Sequence, residues 1–464
     1  MPPCFGHTIF SIRSKNSHLQ PATNTGLPWR EMNSGRASAR AQVSIMTSKP
    51  SAAECFVYIT LPGEVTATTA GRFVLEKNER GDSIGRFVYG RSYLNNPNAV
   101  DIDPLELKLA GTTYETVRLN GVFGALRDAG PDHWGRRVIE KHAGRVNLGE
   151  LDYLLESADD RAGALAFGLN TVPPAPLRKF NQTLDLEKLQ ALAEALIRDE
   201  IPNDPASPQV QDLLLLGTSM GGARPKAVVQ DGDALWIAKF NQDDDRWNNT
   251  RVEHAMLQLA RECGINVPES RIETVGGKDV LLIKRFDREK TNEGYARARM
   301  ISGLTVLRSE DSVQQRTRWS YLILVEEIRR IVAEPKKDAK ELFRRMCFNA
   351  LISNTDDHPR NHAVIARDKE WKLSPAYDLT PLPVISMDHR DLALECGDMG
   401  RFANAKNLLS QRARFLLDAE EAGRIITDMK ACVEKWYDFV RRCGVSENDA
   451  EMIRPAFVYP GFSL

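Results

Sequence analysis

Beyond residue 50, apolar and polar positions alternate in short runs, and 55–61, 71–75 and 85–89 each read as a strand. Pro62-Gly63 and Gly81-Asp82 separate the runs as turns, which predicts a small antiparallel sheet. Near Pro131-Asp132-His133 the period lengthens and a helix begins. A helix-start or packing role for His133 is favoured over a catalytic base, because no partner acid or metal-ligand spacing accompanies it. The proline-rich stretch 172–177 reads as a linker, followed by an amphipathic helix over about 184–198.

Strands at 226–229 and 234–240 then flank the tight turn at Asp231-Gly232. Val252, Ala255, Leu259, Ala260 and Cys263 recur at helical spacing and stop at Gly264. Strands at 271–275 and 280–286 complete a mixed lobe. After residue 300 the helical period dominates: Tyr321, Leu324, Val325, Ile328, Ile331 and Val332 share one face, and a second helix covers about 337–353. A hairpin is predicted from 363–367 and 371–374. The late stripe Ile425, Met429, Cys432, Trp436, Phe439, Cys443 reads as one core-facing helix ended by Gly444.

Composition narrows the class. The 464 residues have room for two or three domains, and 62 basic against 63 acidic residues give no global signature of a nucleic-acid or membrane binder. Seven scattered cysteines without a C-x-x-C pair point to reduced thiols in a cytoplasmic setting. No apolar run reaches the ~20 residues of a membrane span, so no membrane partner is expected. The first fifty residues are rich in Ser, Asn, Pro and Arg, with Glu31 their only acid. That resembles an organellar transit peptide, but without a sustained amphipathic pattern a disordered extension is the favoured reading, a misassigned start ahead of Met46 being one form of it.

Candidate chemistry sits in three places. Lys239 ends the apolar strand Leu235-Trp236-Ile237-Ala238-Lys239, close to the V-A-I-K pattern whose ammonium neutralises nucleotide phosphates. Glu253, fourteen positions on, either orients Lys239 by ion pairing or is a helix-dipole or surface carboxylate. Gly221 and Gly222, within Ser219 to Lys226, allow backbone N–H groups to fold around an anion. Ser219 is a turn residue or a hydroxyl near the transferable phosphate. Most specific is Asp356 with Asn361 five positions later and Asp378 beyond the hairpin. Phosphoryl transfer needs one carboxylate for the incoming hydroxyl, then an amide oxygen and a second carboxylate for magnesium. Asp356 fits the first role, Asn361 and Asp378 the other two.

These residues resemble those of the HipA family, serine/threonine-protein kinase toxins of bacterial toxin–antitoxin pairs. The resemblance spans about 55–445. It rests on Phe123-Gly124 with Asp128, Pro131-Asp132-His133-Trp134-Gly135-Arg136, the stretch Ser219 to Lys226, and Lys284-Arg285-Phe286-Asp287-Arg288. Asn354 to Asn361 and Pro375-Ala376-Tyr377-Asp378-Leu379 complete it.

The resemblance implies an α+β, two-lobed protein-kinase-like fold with an extra N-terminal β-rich subdomain and a mostly helical C-terminal lobe. The expected division is an extension over 1–50, a subdomain over 51–172, the kinase N-lobe over 173–287 and the C-lobe over 288–464. It further implies that Gly221, Gly222, Ala223, Arg224, Pro225 and Lys226 form the ATP phosphate loop, Lys239 the phosphate lysine, and Lys284, Arg285 and Phe286 the hinge beside adenine. Asp356 would be the proton acceptor. His358, Pro359, Arg360 and Asn361, with Tyr377, Asp378, Leu379 and Thr380, would form the nucleotide and Mg2+ segments. Ser219 would be the autophosphorylated serine. ATP and Mg2+ are the implied cofactors. A protein substrate such as an aminoacyl-tRNA synthetase and a helix-turn-helix antitoxin, which mediates most DNA binding, are the implied partners. Departures are Arg360 in place of a lysine, Lys284 where a hinge Glu is usual, and Arg224-Pro225 in the phosphate loop. A small-molecule kinase and a catalytically inactive, antitoxin-binding corepressor are the alternatives.

Overall fold

Strand alternation puts one side-chain row of each strand inward, and the first sheet is built on that rule. Its strands β1 (Ala53–Thr60), β2 (Ala67–Lys77), β3 (Ser83–Tyr89) and β4 (Thr113–Thr116) are antiparallel neighbours. β5 (Leu165–Gly168) returns to pair with β1, giving the order β4-β3-β2-β1-β5. The sequence predicts the first three strands; β4 and β5 are too short to stand out. The computed structural model describes residues 53–463 except 147, 159, 177, 178, 203, 205, 206, 214, 215, 217–221, 223, 384 and 385. The expected extension over 1–50 therefore lies outside the described residues.

Four helices lie between these strands in sequence: α1 (Arg91–Leu94), α2 (Gly124–Asp128), α3 (His133–Ala143) and α4 (Glu150–Glu156). Asp132 caps α3 by accepting from the Gly135 amide at 2.7 Å, which satisfies one of the free N–H groups of the first turn. His133 is the first residue of α3 and is exposed.

The second sheet comprises β6 (Asn181–Gln182), β7 (Lys226–Asp231), β8 (Ala234–Phe240), β9 (Ser270–Val275) and β10 (Lys278–Lys284), in the order β6-β7-β8-β10-β9. On one face, α5 (Leu186–Ile197) and α6 (Pro208–Asp212) share a core with Val229, Ala238, Val280 and Leu282. Trp134 and Val138 of α3 join that same core. Leu281 and Ile283, which alternate with Val280 and Leu282 along β10, belong instead to the larger core that includes α7 (Asn249–Glu262).

That larger core continues through the helical lobe and the first sheet. After β11 (Arg288–Lys290) and β12 (Tyr295–Arg297), a three-stranded sheet forms from β13 (Arg299–Ser302), β14 (Ala363–Ala366) and β15 (Lys372–Leu373). The helices are α8 (Gly303–Val306), α9 (Tyr321–Ile331), α10 (Pro335–Leu351), α11 (Ala405–Ser410), α12 (Ala419–Val433), α13 (Trp436–Arg442) and α14 (Glu447–Ile453). Leu342, Phe343, Met346 and Phe348 of α10 are fully buried, each stabilising by about 1.5–3 kcal/mol.

One expectation needs correction. The stripe 425–443 is not one helix, because α12 ends at Val433 and α13 starts at Trp436. The break falls where Trp436 stacks flat on Phe457, with ring centroids 4.2 Å apart. Cys432 and Cys443 lie at the edge of the core, partly buried. Among the described residues no helix is long and apolar enough to cross a membrane.

Candidate active site

The site is assembled from the end of β8, the start of α7, the loop after α10 and the chain that follows β15. Lys239 points from β8 so that its Nζ lies 2.7 Å from Glu253 Oε1 and 2.8 Å from Asp378 Oδ1. Glu253 is buried on α7, so it is no surface carboxylate. Burial works against the Lys239 charge, but Asp378 and Glu253 outweigh it and raise its pKa. For Asp378 the same contest ends with the carboxyl below its usual range: burial opposes ionisation and Lys239 prevails. Glu253 goes the other way, raised by burial with Lys239 opposing. One ammonium is thus shared by two carboxylates, of which only Asp378 keeps much contact with solvent, its side chain 35% exposed.

The loop after α10 begins with Ser353 at a positive φ of 51°, which ends the helix by turning the chain. Asp357 then points inward: it accepts from the Tyr321 hydroxyl and lies 3.1 Å from His362 Nε2. Asn349 donates to Tyr321 Oη at 3.2 Å and accepts from Asn354 Nδ2 at the same distance. This buried polar network fixes the loop from beneath. Its neighbour Asp356 faces outward and is exposed. The Asp356 carboxyl is raised above the ordinary range by loss of hydration, with His358 opposing and Asp378 adding to the shift.

Asn361 donates from Nδ2 to the Asp356 carbonyl at 3.3 Å, which directs its Oδ1 the other way. The β14–β15 hairpin folds the chain back, and the Tyr377 hydroxyl donates to the Arg360 carbonyl at 2.8 Å. Tyr377 stacks on Phe286, with centroids 5.8 Å apart. Asp378 adopts φ 58°. Left-handed backbone at a non-glycine residue costs roughly 1–3 kcal/mol and concentrates at sites where a side chain must be aimed.

Lys239, Asp378, Asn361, Arg360, Tyr377, Lys284, Arg285, Phe286 and Gly222 all line one cleft. Other expected residues sit apart from its walls. Lys226 is buried, its ammonium 2.7 Å from Asp132 Oδ2 and 3.1 Å from the Gly222 carbonyl. Arg224 forms a bidentate pair with Asp245, both contacts at 2.9 Å. The Pro225 carbonyl accepts from the Phe240 amide at 3.1 Å. His358 is half-buried and Pro359 buried, Leu379 is buried and Thr380 half-buried. Arg285 lines the cleft, yet its guanidinium is fully buried against Asp160 and Asp287. Lys284 is exposed and pairs with Glu269 at 3.1 Å. Ser219, Gly221 and Ala223 lie outside the described residues.

The cleft also has a wall that sequence reasoning missed. Arg127, Asp128, Gly130, Pro131, Asp132 and Ala162, all from the first subdomain, line it. Asp128 fixes this wall to the helical lobe by accepting from the Ser302 amide and hydroxyl and the Thr305 hydroxyl at 2.7–2.8 Å. Loss of hydration, with Arg136 nearby, lowers the Arg127 guanidinium to about 10. The signal available in the sequence was the dense Asp128-Ala129-Gly130-Pro131-Asp132 run, a string of turn and cap residues with no apolar period.

A lysine strand tied to a helix glutamate and to Asp378, with Asn361 of the D-x-x-x-x-N loop lining the same cleft and Asp356 outside its lining, has the parts of a kinase fold, and with it the use of a nucleotide. The chain belongs to the HipA family: its residues 65–168 match the HipA N-terminal domain and 218–436 the HipA-like C-terminal domain. It is similar to the kinase-named Sinorhizobium fredii protein Y4mE, 23% identical over 331 residues, covering 65% of this chain and 73% of that protein. Toxin YjjJ of Escherichia coli K12 is 26% identical over 195 residues, covering 39% of this chain and 42% of YjjJ. Among solved structures, the Shewanella oneidensis toxin–antitoxin complex of HipA, HipB and its operator DNA matches the fold. The TM-score is 0.55 at 16% identity, covering 86% of this chain and 94% of that one.

Proposed function

We propose that this chain is an ATP- and magnesium-dependent serine/threonine protein kinase of HipA type, acting as the toxin of a toxin–antitoxin pair. The observation that carries this reading is the Lys239 ammonium held between Glu253 and Asp378 at 2.7 and 2.8 Å. A cation beside a hard oxygen donor is what a bound nucleotide's phosphates and their metal call for, and it supports this reading. Among the described residues no group of three or more His, Cys, Asp or Glu is gathered to hold a metal unaided. A pair of oxygen donors, Asn361 Oδ1 and the Asp378 carboxylate, suits magnesium held jointly with nucleotide phosphates. Bound there, magnesium would neutralise charge on the transferred phosphoryl group.

The remaining roles are proposed from the family resemblance, with position supporting those of the described residues. Asp356 accepts the proton of the attacking hydroxyl and orients it. The Lys284 carbonyl and the Phe286 main chain read the adenine edge, since the Lys284 amide donates to the Glu269 carbonyl at 2.8 Å and the Arg285 guanidinium is consumed by its carboxylate partners. Tyr377 and Phe286 support the base. Ser219 is the proposed site of autophosphorylation. The HipB and operator DNA of the Shewanella complex support a helix-turn-helix antitoxin as partner, with DNA reached mainly through it. An aminoacyl-tRNA synthetase is the family-type substrate.

The test uses the full chain with γ-labelled MgATP and a cell lysate. Label is expected on serine or threonine of protein, and Asp356→Ala is expected to abolish it while the chain stays folded. Because the Asp356 carboxyl is raised and must be ionised to accept a proton, the transfer rate should climb with pH through a value above the usual carboxylate pKa of about 4. Label confined to small metabolites would reject the protein-kinase reading.

A further inference from the structure

We infer that Asp132, contributed by the first subdomain, is a positioning residue for nucleotide binding: it holds Lys226 and, through it, Gly222 at the wall of the cleft. This rests on the nucleotide-cleft reading above. The two Asp132 carboxylate oxygens have separate tasks. Oδ1 accepts from the Gly135 amide at 2.7 Å and caps α3, while Oδ2 lies 2.7 Å from Lys226 Nζ. Lys226 opens β7 and its side chain is 1% exposed, against 7% for Asp132. The same ammonium donates to the Gly222 carbonyl at 3.1 Å, and Gly222 sits at φ 87° on the cleft wall.

A buried ammonium needs a counter-charge, and Asp132 lies within ion-pairing distance to supply it. Without it Lys226 has to seek water, and its bond to Gly222 goes with it. The support beneath Asp132 is firm on the same side. Trp134 and Val138 pack α3 into the core of the second sheet, and Arg137 donates to the Leu196 and Ile197 carbonyls at 2.8 and 3.0 Å. Asp128, four residues earlier, is tied to Ser302 and Thr305 of the helical lobe. The segment between them therefore joins both lobes along the cleft, and Asp132 is its link to the glycine ahead of β7.

Two substitutions separate the tasks. Asp132→Ser keeps a good helix cap but is too short to reach Lys226. Asp132→Glu caps poorly but keeps a carboxylate within reach of the ammonium. Calorimetric titration with MgADP, well below each variant's melting temperature, gives the readout. The serine variant is expected to bind about tenfold more weakly and the glutamate variant to stay within about threefold of the parent, although both melt lower. Serine binding within about threefold of the parent, or equal losses in both variants, would overturn the inference, since affinity would then be indifferent to the link or merely follow stability. Should the serine variant not fold, amide exchange in the unmodified chain decides: MgADP should slow exchange across residues 129–136, and unchanged exchange there overturns the proposal. Failure of the parent itself to bind MgADP would instead remove the nucleotide reading.

Discussion

Two of the buried charge clusters among the described residues differ in how completely they close. At the crossing between lobes, the Arg285 guanidinium meets Asp287 at 2.9–3.0 Å and also Asp160, while Arg288 reaches Asp287 Oδ2 at 2.8 Å. The Gly163 amide and the Arg161 carbonyl take up further capacity. Two guanidiniums face two carboxylates, and no side chain there is more than 14% exposed. In the second cluster, Lys239 faces both Glu253 and Asp378, so negative charge is in excess, and Asp378 opens to the cleft. A balanced, closed network holds chain segments together. An unbalanced, open one still attracts a cation and can hand its ammonium to an anion.

The sharpest way to break this contrast is Lys239→Met. Removing the ammonium between the two carboxylates should lower phosphoryl transfer by roughly 10³-fold, the scale for a preorganised charge aimed at the reacting centre. Circular dichroism should stay that of the parent, because Asp378 can turn to solvent and burial, no longer opposed by Lys239, keeps Glu253 in its neutral form. A rate within tenfold of the parent would place the chemistry elsewhere.

Asp287→Asn attacks the closed cluster and should act on stability. It leaves two buried guanidiniums with only Asp160 between them, at a cost of about 3–5 kcal/mol in denaturant unfolding. The pH dependence carries a definite sign. Burial raises the Asp287 carboxyl, but Arg285 and Arg288 outweigh it and hold it well below the usual range. Its stabilisation is therefore complete above the unfolded-state value of about 4 and is lost as pH falls below that. Unfolding midpoints between pH 6 and 3 should fall more steeply for the parent than for the variant. Parallel curves would contradict the assignment.

The two clusters were unequally legible in the sequence. Lys239, Glu253 and Asp378 stood out because each occupies a patterned place: the end of a strand, an early turn of a helix, the chain just past a hairpin. Their spacing constrains chemistry, so residue type and position informed each other. Arg285 and Asp287 were quoted as part of a motif, but nothing local revealed that Asp160, over a hundred positions earlier, would face Arg285. The same holds for Asp132 and Lys226. Such pairs are tertiary, and a sequence read by period shows only their separate local roles: cap, strand start, turn. The long helices and β7 to β10 were legible for the opposite reason, since amphipathic period is written over many residues. Short strands such as β4 and β6 have too few positions to carry a period, and the divided α12–α13 kept its period across a break.

The smallest expected effect tests where the boundary between open and closed clusters lies. Arg224 and Asp245 form a bidentate pair at 2.9 Å, with side chains 39% and 10% exposed. The geometry is good, yet water reaches the guanidinium, and Asp245 also accepts from the Gln242 amide at 2.8 Å. Burial pushes the Asp245 carboxyl up, and Arg224 with Gln242 brings it below the usual range. Because the carboxylate keeps a backbone donor when the arginine is lost, Arg224→Ala should cost only about 0.5–1 kcal/mol in unfolding free energy. High salt should shrink the difference further, since a half-exposed pair is screened. A salt-insensitive loss of more than about 2 kcal/mol would mean that the pair behaves as a closed cluster, and that exposure alone does not separate the two kinds.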